Sequence, residues 1–139
     1  MRLAITAIFA LASFGFSAST TVAATQTTGL PDCQGNLLVK PASITLACGD
    51  GNFYVANLKW TGWGESFAAA TGTGKANDCQ PNCAAGHFHS YPMLLMVTGS
   101  QKCGGHSAYA RVVYAFIGRS PYPQSTKVED STQTFPCSR

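Results

Sequence analysis

Charged side chains are scarce in this sequence. Only 11% of its 139 residues are Asp, Glu, Lys or Arg, while 45% are hydrophobic, and the formal net charge at pH 7 is +3. So little charge with so much hydrophobic content excludes an intrinsically disordered chain and is typical of a packed domain. The basic residues are scattered along the sequence rather than clustered. The sequence therefore lacks the electrostatic footprint of a nucleic-acid-binding protein and lacks a polybasic membrane patch.

Long apolar runs are also missing, except at the N-terminus. Arg2 precedes an almost unbroken apolar stretch over residues 3–16, and residues 22–24 have a small-x-small pattern. These are the three parts of a cleavable signal peptide. We therefore expect residues 1–24 to be a signal peptide, and residues 25–139 to form one secreted, soluble and monomeric domain. No later stretch approaches the roughly 20 apolar residues of a membrane span, so we expect no span in the mature chain.

Helical signals are scarce too, because no stretch after the signal peptide has sustained 3.6-residue periodicity. Short alternating segments are frequent, and turn-forming residues separate them. The predicted strands are residues 43–48, 53–60, 66–73, 91–98 and 108–117. The segment 66–73 contains three successive alanines, so a helix is an alternative to a strand there. Short strands at this spacing predict an all-β fold, a small antiparallel β-sandwich or barrel.

The alternation also predicts which side chains share a face. In the segment 53–60, Tyr54 and Leu58 fall on the same side of the strand. Residues 93–97 form a continuous apolar run, which is typical of a strand covered on both faces. Residues 25–30 carry no strand pattern, and we expect them to be a frayed arm.

Cysteine is the most informative residue type here. The six cysteines are Cys33, Cys48, Cys79, Cys83, Cys103 and Cys137, all beyond the signal peptide. An even number in an exported protein predicts three disulfides of undetermined connectivity. A bridge between Cys79 and Cys83 would close too short a loop to restrain much of the chain. We therefore favour a bridge from each of them to a different strand, with Cys48 and Cys103 as candidate partners. A bridge from Cys33 to Cys137 would close nearly the whole domain.

Histidines offer one candidate metal site. His87 and His89 are two residues apart, so on a strand their side chains would point the same way. With His106 they would supply three nitrogen ligands and an open fourth position, which suits Zn²⁺ or Cu²⁺. The simpler interpretation is that these are solvated histidines at the edge of a loop. No Asp or Glu lies nearby in sequence to orient the imidazoles, as metal sites usually require.

Two tryptophans bracket a Thr-Gly pair. We expect Trp60 to fill the core, because it continues the pattern of the preceding strand. Trp63 is a possible ligand contact, since an exposed indole can stack on a sugar ring or a hydrophobic ligand. Packing over the end of the strand is the alternative for Trp63, and the sequence does not decide between the two.

Three runs together resemble a known group of proteins. Residues 44–52, 58–64 and 77–92 are similar to small exported actinobacterial proteins, and the resemblance extends over residues 40–117. Its most specific part is the block Asn-Asp-Cys-Gln-Pro-Asn-Cys-Ala at residues 77–84. The group has no assigned activity. The resemblance therefore implies a secreted, disulfide-bonded small domain and adds no catalytic residues.

No complete catalytic constellation is present in the sequence. The segment most similar to a nucleophile elbow is Gly-Glu-Ser-Phe-Ala at residues 64–68. It has Ala where the motif requires Gly, and it lacks the strand–turn–helix setting. We therefore predict a secreted, non-enzymatic module without a cofactor that binds an extracellular or cell-surface ligand. Recognition is expected in the loops 49–52, 61–65 and 77–90. The alternative is a metal-binding protein or metal-dependent enzyme that uses the three histidines.

Overall fold

The computed structural model describes residues 27–64 and 66–121, together with Cys137. The expected signal peptide at residues 1–24 and the tail segment 122–136 lie outside the described residues. The described part of the chain contains strands and turns but no helix, so no helix there could cross a membrane. Its strands pair in antiparallel sheets, and the all-β prediction is confirmed.

A curled, half-barrel sheet of five strands dominates the architecture. In chain order the strands are β1 (Leu30–Pro31), β2 (Leu37–Leu38), β3 (Ile44–Thr45), β4 (Phe53–Thr61), β5 (Phe67–Asn77), β6 (Phe88–Thr98), β7 (Gln101–Cys103), β8 (His106–Ala108) and β9 (Arg111–Phe116). The large sheet has the order β3-β4-β5-β6-β9, while β1-β2 and β7-β8 form two small hairpins. The segment with three successive alanines is therefore strand, as part of β5.

The β5–β6 pair is the longest element of the sheet. Its two strands pair along their whole length, from Phe67 opposite Thr98 to Asn77 opposite Phe88. Strand β5 contributes mostly small residues to the inner face, and the larger side chains of β6 pack against them. The inward side chains of β6, which are Met93, Leu95 and Val97, are almost completely buried. They belong to one core cluster that also includes residues of β1, β3, β4 and β9.

Only one face of β6 is covered. Leu94 is 49% exposed and Met96 is 41% exposed, although both lie within the apolar run. The prediction that residues 93–97 are covered on both faces is therefore wrong. The run is continuous because the outer face of an antiparallel sheet here carries apolar side chains where polar ones are usual.

A β-bulge interrupts β4. The pairing with β5 shifts between Ala56 and Lys59, and the intervening Asn57 has a φ of 56°. An extra residue exchanges the two faces of a strand. Consequently Leu58 is buried on the side opposite to Tyr54, which pairs outward. The predicted common face for these two residues is wrong.

The N-terminal segment is part of the fold. Leu30 is fully buried in β1, and the peptide N–H of Tyr109 donates to the carbonyl oxygen of Gly29 over 2.9 Å. The N–H of Gly29 donates in turn to the carbonyl oxygen of Ser107. The expected frayed arm is therefore wrong for Gly29 and Leu30, because β2 pairs with Leu30 and the segment 107–109 supplies backbone partners for Gly29.

Three disulfides form, as predicted, but the favoured pairing is wrong. The bridges are Cys33–Cys48, Cys79–Cys83 and Cys103–Cys137. Cys79 has a φ of 52°, which turns the chain back on itself, so Cys83 meets it within one short loop. Cys48 is bonded to the β1–β2 turn, and Cys103 holds the distant Cys137.

Gly72 of β5 tests the packing of the sheet. A Cβ atom at this position would lie 2.9 Å from side-chain carbons of both Leu58 and Val55. We expect Gly72→Ala to lower the free energy of unfolding by about 1–3 kcal/mol through overpacking. Urea denaturation with the disulfides intact measures the change. Gly49→Ala is the matched control, because a Cβ there meets no atom within 4 Å. Equal stability of the two variants would contradict the described packing.

Candidate functional site

An open cleft lies at one end of the half-barrel. Strand β4 begins at this end, β5 ends there and β6 starts there, so the turn 49–52 and the loop 78–87 are brought together. The cleft has a volume of about 510 Å³. Of the three loops predicted to carry recognition, two therefore converge. Residues 61–64 follow the other end of β4 and lie away from the cleft.

Aromatic rings form the floor of the cleft. Tyr91 and Phe53 line it from the inner face of the sheet. Both rings pack on Phe116, with centroid distances of 5.9 Å from Tyr91 and 6.0 Å from Phe53. Tyr114 adds an edge contact to Phe53 at 5.5 Å. Because this network joins β4, β6 and β9, it holds the floor in one arrangement.

Asp78 organises one wall of the cleft. Its Oδ1 accepts hydrogen bonds from the peptide N–H groups of Gln80 and His87, over 3.1 and 2.9 Å. Its Oδ2 lies 2.8 Å from Nε2 of His89, which donates to it. The hydrogen bond from His89, followed by those from the two backbone groups, holds the pKa of this carboxyl well below its usual range. Asp78 therefore stays ionised and acts as the acceptor that shapes the loop.

The pairing of Asp78 with His89 is not apparent from the sequence, in which no acidic residue lies close to the histidines along the chain. The signal that could have shown it is the register of the β5–β6 hairpin. Ala76 pairs with His89, and the N–H of Asp78 donates to the carbonyl oxygen of His87, so the carboxylate lies across from the imidazole. Residues that are far apart in the sequence can be in contact across a hairpin.

Asn77 ties the two loops of the cleft together. Its Nδ2 donates to Oδ1 of Asn52 over 2.9 Å and to the carbonyl oxygen of Cys83 over 2.8 Å. Its Oδ1 accepts from the N–H of Cys79 over 3.0 Å. A Cβ atom at Gly86 would overlap the Asn77 side chain, so glycine is required where the loop returns. With the Cys79–Cys83 bridge, these contacts make a loop with a fixed shape.

The three predicted metal-binding histidines are not brought together as a site. Within residues 27–64 and 66–121, no group of three or more His, Cys, Asp or Glu side chains could hold a metal ion. His89 is engaged by Asp78, and His106 belongs to the separate β7–β8 hairpin. His87 precedes the first residue of β6, so strand alternation does not align it with His89. The metal function stays a prediction, and the described residues contain no preformed three-histidine site for it.

Trp63 lies at the end of the sheet opposite to the cleft. Its Nε1 donates to the carbonyl oxygen of Thr28 over 2.9 Å, and its ring packs edge-on against Trp60 at 4.8 Å and Tyr109 at 5.3 Å. The indole is therefore half-buried in an aromatic cluster, and its role as a ligand contact stays a prediction. The sequence predicts that Trp60 fills the core; it is partly buried and packs against the core, and its Nε1 donates to the carbonyl oxygen of Pro41.

Comparisons with protein-family models, with curated proteins and with solved structures find no match to the chain. The resemblance to small exported actinobacterial proteins therefore stays a prediction.

The described lining of the cleft offers acceptors and amides but no cation. It carries two carboxylates (Asp50 and Asp78), three side-chain amides, one imidazole and the Tyr91 phenol, without Lys or Arg. The pKa of Asp50 is also lowered, because Asn52 donates hydrogen bonds to it. Two ionised carboxylates disfavour an anionic ligand, while amides and aromatic rings are compatible with a neutral polar one.

The lowered pKa of Asp78 makes the loop sensitive to acid. A carboxyl whose folded-state pKa lies below its ordinary value of 3.8 stabilises the fold above that value. This stability is lost as the pH falls towards the folded-state pKa. We expect Asp78→Asn to be less stable than the wild type near neutral pH, and the difference to shrink below about pH 4.

Urea midpoints measured across this pH range test the expectation. Asp50→Asn is the matched control, because Asp50 lines the same cleft but its carboxyl accepts hydrogen bonds from its own turn and not from a neighbouring strand. Its effect should be smaller. Parallel pH profiles for the wild type and Asp78→Asn would show that the carboxylate does not stabilise the loop.

Proposed function

We propose that the protein is a secreted, non-enzymatic binding module, and that the cleft at the end of the half-barrel recognises a neutral saccharide. The observation that carries the proposal is a preorganised concave site in which hydrogen-bonding side chains surround an aromatic floor. Such a combination of an apolar surface with a few placed polar groups is typical of small-ligand sites.

The floor suits one face of a sugar ring. A pyranose carries C–H groups on its faces and hydroxyls around its edge, so it needs an apolar platform next to acceptors and donors. Tyr91 is half-buried and packs edge-on against Phe116, which leaves it fixed at the floor of the cleft. A rigid aromatic side chain gives contact area at a low cost in conformational entropy.

The rim supplies partners for the hydroxyl groups. Asp50 and Gln80 line the cleft from exposed positions on its two loops. Asp78 and Asn77 use their polar atoms to hold the loop 78–87, so they support the site. Asp50 and Gln80 contact the hydroxyl groups of the ligand. The absence of Lys and Arg in the described lining argues against phosphorylated or sulfated sugars.

Titration with a panel of neutral oligosaccharides, followed by amide chemical shifts, tests this function. We expect shifts confined to residues 50–53, 77–80 and 89–91. A hydrogen bond between neutral groups contributes about 1 kcal/mol, so Gln80→Ala should weaken binding by about fivefold. A hydrogen bond to a charged group contributes about 1.5–3 kcal/mol, so Asp50→Ala should weaken binding by about tenfold or more. Gln34→Ala is the control, because Gln34 is exposed on the β1–β2 turn and does not line the cleft.

Two results would overturn the assignment. Unchanged spectra with every oligosaccharide at millimolar concentration would remove the saccharide as the ligand. Shifts centred on Trp63 and Tyr109 would move the binding site to the opposite end of the sheet.

A further inference from the structure

The outer face of the five-stranded sheet is apolar in its middle. Phe67 is 51% exposed at the start of β5, and Leu94 and Met96 are exposed on the neighbouring strand β6. Leu94 pairs with Thr71, and Met96 pairs with Ala69, so these side chains stand on adjacent outward positions. A contiguous exposed apolar patch is typical of an interaction site, whereas single exposed apolar residues are common on any protein surface.

Strand β9 extends this surface. Val113 pairs with Met96, and Ala115 pairs with Leu94, so the outward side chains of β9 continue the apolar band. We call the band formed by Phe67, Leu94, Met96, Val113 and Ala115 the outer apolar face. It lies on the side of the sheet opposite to the aromatic floor of the cleft.

Basic side chains surround the outer apolar face. Lys59 pairs with Thr71 on the β4 side, Arg111 pairs with Thr98 on the β9 side, and Lys75 pairs with Ser90 further along β5 and β6. All three therefore occupy outward positions. They are scattered in the sequence, and the sheet brings them onto one surface.

The acidic side chains of the described residues lie elsewhere. They are Asp32 in the β1–β2 turn, Asp50 in the turn before β4 and Asp78 in the loop after β5. None is on an outward position of the large sheet. Among the described residues, the outward face of the large sheet is therefore apolar and cationic, whereas the carboxylates lie in turns and loops.

We propose that the outer apolar face binds the surface of an anionic lipid bilayer. Aliphatic and aromatic side chains can enter the boundary between headgroups and acyl chains, while Lys and Arg extend towards the headgroup phosphates. The half-barrel is curled, so its outer face is convex and can press into a deformable surface.

A second copy of the chain fits this face less well. If two outer apolar faces paired about a twofold axis, Lys59 and Arg111 would lie close to the basic side chains of the second copy. The described outward positions of the sheet offer no carboxylate to neutralise them. Like charges across an interface oppose association. Charge complementarity therefore favours an anionic surface. Because the cleft lies on the other side of the sheet, this inference does not depend on the proposed saccharide site.

Vesicle sedimentation tests the proposal. The probes are vesicles of phosphatidylcholine alone and vesicles that also contain phosphatidylglycerol, each at low and at physiological ionic strength. We expect binding to the anionic vesicles, weaker binding at the higher ionic strength, and little binding to phosphatidylcholine alone.

Two pairs of variants locate the contact. One Lys or Arg near an anionic surface contributes about 1 kcal/mol, or about a fivefold change, so Lys59→Gln with Arg111→Gln should weaken binding by about 25-fold. Lys40→Gln with Lys102→Gln removes the same charge from positions off the large sheet and should cost much less. Leu94→Gln should weaken binding without loss of fold, because its side chain is exposed.

Three outcomes would overturn the proposal. They are equal losses in the two charge pairs, equal binding to both kinds of vesicle, and no loss with Leu94→Gln. Sedimentation velocity without lipid provides the remaining check. A dimer that Leu94→Gln abolishes would assign the face to a second copy of the chain instead.

Discussion

The register of the β5–β6 hairpin is the constraint on which the other features depend. Each strand has 11 residues, and every residue of one has a partner in the other. Side chains alternate across a strand, so a slip by one residue would exchange the buried and exposed sets. The same pairing directs Met93, Leu95 and Val97 into the core and leaves Leu94 and Met96 outside. The core, the cleft and the outer apolar face are thus consequences of one alignment.

The cleft shows how this alignment becomes a site. Because Ala76 faces His89, the chain beyond β5 has to turn where Asp78 can accept hydrogen bonds from the returning strand. Asn77 then joins this loop to the turn before β4, and a disulfide closes the loop itself. Short disulfides restrain little of the unfolded chain, so the Cys79–Cys83 bridge acts mainly on local shape. The rigid loop and the aromatic floor together give the proposed saccharide site its preorganisation.

Alternation in the sequence was sufficient to predict the fold class and the approximate positions of the long strands. Alternation fails to predict which side chains are buried where an extra residue shifts the inward–outward order, as at the bulge of Asn57. The positive φ of this residue leaves no periodic signal in the sequence. Alternation also fails across the hairpin, where Asp78 meets His89 although 11 positions separate them. Loop length alone predicts the wrong partner for Cys79, because it measures restraint of the whole chain, whereas the local turn at Cys79 brings Cys83 within bonding distance. The grouping of Lys59, Lys75 and Arg111 on one surface follows only from the sheet order.

Interstrand nuclear Overhauser effects across β5 and β6 test the central claim most directly. The account predicts cross-peaks between the backbone protons of paired residues along the entire hairpin, including Ala70 with Leu95, Gly74 with Tyr91 and Ala76 with His89. Cross-peaks displaced by one residue, such as Ala70 with Leu94, would contradict it, because that register would turn the core side chains of β6 outward and separate Asp78 from His89.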